Sequence, residues 1–134
     1  MKTINIICIV LHILVGAGAV AGSMAAIANP YSPMGLDAAE VLRYSPFDSF
    51  LIPGIILFTV IGLGNLFAAL SFIKKWMLRP IISGFFAAAL AIWIFVQCVM
   101  LQTIAALHVI YFAIGAVQGL LALYLLYRMK VNQD

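Results

Sequence analysis

Residues 29–54 read Asn-Pro-Tyr-Ser-Pro-Met-Gly-Leu-Asp-Ala-Ala-Glu-Val-Leu-Arg-Tyr-Ser-Pro-Phe-Asp-Ser-Phe-Leu-Ile-Pro-Gly, and every other stretch of comparable length is apolar enough to sit in lipid. The segment carries four of the five prolines and three of the four acids, Asp37, Glu40 and Asp48. It therefore reads as a polar cap, and chemistry that needs fixed carboxylates is expected here. On either side the chain has to be explained as membrane spans.

Composition agrees. Hydrophobic residues make up 66% of the 134 residues and charged residues 8%, with a mean hydropathy of +1.21, whereas soluble domains are about a quarter charged. The length allows one domain, residues 1–134. The net charge of +3 says less than where the charges lie, because short basic loops set the orientation of a membrane protein. Nucleic acid is not an expected partner; membrane lipid is.

The first apolar run, residues 4–28, is long enough to cross a hydrocarbon core of about 30 Å. Lys2, the run and Ala19-Val20-Ala21 also mimic a secretory leader, but the run is longer than the roughly 7–15 apolar residues of a leader, so a retained span is expected. The outer loop follows, residues 29–52. In it Asp37 and Glu40 have the spacing of a capping box, which predicts a short helix over residues 38–44 lying along the membrane surface.

Pro53 suits a first helical turn and opens a second span, residues 53–73; Pro80 opens a third, residues 80–101. Gln102 and Thr103 predict a very tight turn into a fourth span, residues 104–127. The fold expected is an all-α membrane protein, a four-helix bundle with an interfacial helix in its first outer loop.

Lys2, Lys74, Lys75, Arg79, Arg128 and Lys130 fall at one end of this arrangement and Arg43 alone at the other. That asymmetry predicts both termini in the cytoplasm, with Trp76, Tyr124 and Tyr127 as an inner aromatic belt and Tyr31 and Tyr44 outside.

Counting helical rise from each span's midpoint puts His12, Asn65 and Gln118 at one depth. An unpartnered polar group in hydrocarbon is costly, so these three predict a buried hydrogen-bonded layer, either glue between helices or the lining of a transport or proton-relay path. A second polar set lies outward. Trp93 and Gln97 are one turn apart on the third span, and His108, Tyr111 and Gln118 share one face of the fourth. With Gln102 at the turn and Asp37, Glu40 and Asp48 above, they predict an outward-facing cup that grips a polar head group or, with His108 as acid or base and Glu40 or Asp48 as its partner, carries out acid–base chemistry.

Gly18-x-x-x-Gly22 and Gly115-x-x-x-Gly119 are small-residue faces that let helix backbones approach, within one bundle or across a homo-oligomer or membrane-complex interface. Cys8 and Cys98 lie in apolar runs without metal-ligand spacing, so neither a disulfide nor a metal is expected. No phosphate-cradling glycine loop, nucleophile elbow or zincin helix is present, and His12 and His108 belong to opposite leaflets, so no cofactor is expected. A proton-coupled carrier usually keeps a carboxylate inside the membrane, and the spans hold none.

Ser45-Pro46-Phe47, the Leu51-Ile52-Pro53-Gly54 entry to the second span and Trp93-Ile94-x-Val96-Gln97 resemble small four-span proteins of the DoxX-like kind, over most of the chain. The resemblance implies the bacterial cytoplasmic membrane and association with membrane redox complexes; it assigns no catalytic residue. A looser likeness is to sterol isomerases and sigma-receptor-like proteins, which place acids and a His around an intramembrane pocket.

The function expected is binding of a lipid or other amphiphile in the outer cup, or service as an accessory subunit through the glycine faces. The alternatives are an intramembrane enzyme acting on a lipid or isoprenoid and an oligomeric pore lined by His12, Asn65 and Gln118.

Overall fold

The computed structural model describes residues 2–133, and among them there is no strand. The first run forms α1 (Lys2–Ala28). A single 3₁₀ turn, Pro33–Gly35, and the one-turn α2 (Ala38–Val41) follow in the cap. The remaining runs form α3 (Leu51–Ile73), α4 (Arg79–Leu101) and α5 (Ala106–Gln133). The helices α1, α3, α4 and α5 are each long and apolar enough to cross a membrane.

The packing contacts fix an up-and-down order. Cys8, early in α1, clusters with Phe72 late in α3 and Leu125 late in α5, whereas Val15 and Ala19 cluster with Ile61, Leu90, Trp93 and Ile94. Between α4 and α5, Gly84 faces Ala122 and Ala87 faces Gly119. Consecutive long helices are thus antiparallel, and Lys2, Lys74, Lys75, Arg79, Arg128 and Lys130 come together at one end of the bundle. Asp37, Glu40, Asp48 and Arg43 are at the other.

Close approach of α1 and α3 depends on missing side chains. A methyl group added at Gly16 would lie 2.7 Å from Leu66 Cγ and 3.0 Å from the Gly62 carbonyl oxygen. Without a hydrophobic drive between helices in lipid, such contacts are what van der Waals packing can use. Ala68, Ala69 and Ala87 have the same effect, each being almost fully buried.

Helix α3 is not uniform. Residues Leu57–Leu63 form a π-helical segment in which the Gly64 N–H reaches back to the Thr59 as well as the Ile61 carbonyl. Such widened turns are rare and frequently mark functional positions. Its physical effect is local: it resets the angle at which the residues after it face the bundle, and Asn65 is the second of these.

Two local expectations are corrected. The cap helix ends at Val41 rather than at residue 44, because Leu42 leaves helical backbone angles after a single turn. Its start is as expected, the Asp37 side chain accepting the Ala39 N–H at 3.1 Å. The turn between α4 and α5 spans residues 102–105, not two residues. Gln102 takes the left-handed conformation, φ 53°, that closes α4, and α5 begins only at Ala106 because His108 caps it.

Candidate functional site

Each of the four long helices sends one polar side chain to the same point in the bundle. His12 of α1, Asn65 of α3, Ser83 of α4 and Gln118 of α5 are all 0% exposed. His12 Nδ1 lies 2.8 Å from Asn65 Oδ1, and His12 Nε2 lies 2.7 Å from Ser83 Oγ. Below the imidazole, the Phe72 ring stacks at a centroid distance of 6.1 Å.

The protonation pattern follows from the amide of Asn65. Its Nδ2 donates to the Ile61 carbonyl at 2.8 Å, a carbonyl within the π-helical segment, so its oxygen is the atom turned to the imidazole. A neutral His12 must then carry its proton on Nδ1 and accept the Ser83 hydroxyl on Nε2. Gln118 Nε2 donates to Asn65 Oδ1 at 3.4 Å. Its 3.2 Å approach to His12 Nδ1 then brings two donors together and is not a bond. Gln118 Oε1 is buried without any partner.

The structure thus brings together His12, Asn65 and Gln118, and adds Ser83. Ser83 is the only hydroxyl in residues 80–101, which is the signal that pointed to it. It was missed because serines in membrane helices usually bond their own backbone, as Ser23 and Ser71 do here. Chemically the layer is a buried side-chain network that links all four long helices. Interhelical polar contacts of this kind contribute on average about 0.6 kcal/mol each in membrane proteins.

The outer residues are arranged differently. His108 Nδ1 accepts the Ala105 N–H at 3.1 Å, the part that a Glu or Gln plays three residues into a helix in a capping box. In neutral His108 the proton is therefore on Nε2, which remains available as a donor. Gln102 donates Nε2 to the Val99 carbonyl at 2.7 Å. Around them Ile94, Phe95, Val99 and Phe112 form an apolar groove of about 900 Å³ between the cap-side ends of α4 and α5, with Gln102, Thr103 and His108 at its head.

Asp37, Glu40 and Asp48 are exposed, and among the described residues none of the three is hydrogen-bonded to His108. Trp93 is buried against Val15, Ala19 and Ile61, its Nε1 without a partner. Gln97 is half-buried on α4. Tyr111 packs on the same cluster as Trp93, and its hydroxyl fills the space beside Gly18, where an added methyl would come within 2.6 Å of it.

The glycine faces separate in the same way. Gly18 accommodates Tyr111, Gly22 has only Leu57 near it, and Gly115 and Gly119 accept Leu90 and Ala87 of α4. Cys8 is buried and Cys98 half-buried, both as free thiols. Among the described residues, no three His, Cys, Asp or Glu side chains cluster as metal ligands would.

Comparison with known proteins finds no family, no characterised protein and no solved structure that matches the chain.

Proposed function

We propose that the protein is a small integral membrane protein that binds a lipid or other amphiphile at the outward end of its bundle. One observation carries the reading: the groove between α4 and α5 has apolar walls and a polar head at which His108 Nε2–H is free to donate. Binding sites for small molecules are mostly apolar with a few fixed polar groups, and an amphiphile has that same division. The cap acids Asp37, Glu40 and Asp48 would then modulate approach from the aqueous side.

The orientation belongs to the same proposal. With the basic end in the cytoplasm of a bacterial cell, the cap and its short helix lie on the outer surface of the cytoplasmic membrane, and affiliation with the DoxX-like proteins is consistent with that placement. Labelling of Ser49→Cys but not Lys130→Cys by a membrane-impermeant thiol reagent in intact cells would support it; the reverse pattern would invert the topology and move the groove to the inner leaflet.

The test of binding is native mass spectrometry of protein released from mild detergent. A lipid-sized adduct lost in His108→Ala supports the groove. Loss in Asp48→Asn as well would bring the cap into the site, and persistence in both variants refutes the reading.

A further inference from the structure

The head of the cap-side groove has a definite hydrogen-bonding character. His108 Nδ1 is occupied by the Ala105 N–H, so the neutral ring keeps a donor at Nε2 and has no acceptor left. Gln102 is its complement. Its Nε2 donates to the Val99 carbonyl at 2.7 Å, and its Oε1 accepts no hydrogen bond among the described residues. Thr103 adds a hydroxyl, which can donate or accept.

Charge is what the groove lacks. No lining residue is Lys, Arg, Asp or Glu. Arg43 is the one cation at the cap end among the described residues; its guanidinium lies over the Tyr44 ring at 4.9 Å, and Asp37, Glu40 and Asp48 outnumber it. A phosphate head would therefore enter without the arginine or lysine that normally grips it. An ammonium head would set a donor against the His108 N–H. What the three head residues suit is an uncharged group that carries an acceptor and a donor close together.

The walls suit an acyl chain. Along α4 the lining extends from Gln102 to Ile94, about 12 Å at 1.5 Å per residue and under half of a core of about 30 Å. A chain entering from the cap-side leaflet would lay its first part there. We propose that the groove binds a diacylglycerol, an ester carbonyl accepting from His108 Nε2 and the free glycerol hydroxyl donating to Gln102 Oε1. This rests on the amphiphile-binding reading above and narrows it to one head group.

The test places the full chain in phosphatidylcholine bilayer discs containing dioleoylglycerol, the same lipid with its hydroxyl methylated, and phosphatidylglycerol in equal amounts. Native mass spectrometry after release weighs what is retained. Dioleoylglycerol should be held over its methyl ether by about fivefold, the worth of one neutral hydrogen bond, and this comparison needs no variant. Gln102→Met should make the two equal. His108→Glu keeps an acceptor for the Ala105 N–H, as in a capping box, but has no N–H to offer, and should lower retained dioleoylglycerol by about fivefold. His108→Gln restores a donor and should recover most of that loss. Equal retention of dioleoylglycerol and its methyl ether by the wild type overturns the proposal, and so does phosphatidylglycerol as the preferred adduct that His108→Ala removes. Both of those results leave amphiphile binding in the groove standing, whereas the absence of any adduct lost in His108→Ala overturns the two readings together.

Discussion

Replacing Asn65 by Leu tests whether the buried layer holds the bundle together. Leu has the branched heavy-atom skeleton of Asn, with methyl groups in place of the oxygen and nitrogen, so the change removes polarity without opening a cavity. It removes the acceptor of two interhelical contacts, His12 Nδ1 at 2.8 Å and Gln118 Nε2 at 3.4 Å. Two contacts at about 0.6 kcal/mol each, together with two stranded buried donors, on His12 and Gln118, at about 1–3 kcal/mol each, give an expected loss of about 3–7 kcal/mol. Gln118→Leu should cost less, close to one such contact, because Gln118 Oε1 has no partner to lose.

The assay is reversible unfolding in mixed micelles, followed by circular dichroism as the denaturing detergent fraction rises. A double-mutant cycle with Ser83→Ala then measures coupling through the imidazole, which both residues hold from opposite nitrogens. A loss below about 0.5 kcal/mol for Asn65→Leu, an amount that surface substitutions commonly give, would refute the reasoning. So would a larger loss for Gln118→Leu than for Asn65→Leu.

Other substitutions probe separate contacts. Gly64→Ala places a methyl against the Phe86 ring and should destabilise by about 1–3 kcal/mol as overpacking does, with Phe86→Leu restoring most of it in the same unfolding assay. Gly18→Ala should displace the Tyr111 hydroxyl, and Tyr111→Phe should relieve the clash. If Tyr111→Phe leaves Gly18→Ala no more stable, the close approach is not the cause. His108→Ala leaves the Ala105 N–H without its acceptor; a cost of about 1 kcal/mol, typical of a lost cap, should accompany faster hydrogen exchange at the start of α5, and unchanged exchange there would argue against the cap.

Much of the architecture is written in composition. Four apolar runs separated by polar or basic links allow little but four antiparallel helices, because backbone groups in lipid must be satisfied within each helix. The layer of His12, Asn65 and Gln118 was also legible, since helical rise converts sequence position to depth and polar groups at one depth in hydrocarbon have few other partners. Ser83 was not, because a serine can bond its own backbone instead, and counted from the midpoint of residues 80–101 it falls about 5 Å further toward the basic end than His12 does from the midpoint of residues 4–28.

The outer site shows where such reading stops. His108 and the cap acids share an end of the bundle, which is all that depth reports. Rotation about the helix axis and the course of the 29–50 loop decide which side chains meet, and in the structure His108 turns back to cap its own helix. Gln102 has a similar local effect: a single residue in the left-handed conformation lengthens the turn to four residues, and no periodicity in the sequence announces it.

Sequence therefore accounts for the number of spans, their direction and the sorting of charge to the two ends, because these depend on hydrophobicity and length along one coordinate. The tertiary structure was needed for everything that depends on the angle around a helix. It supplies the fourth member of the polar layer, the π-helical segment just before Asn65, and the seating of the Tyr111 hydroxyl against Gly18. Those features arise from side chains converging from different helices, and a linear pattern contains depth but not azimuth.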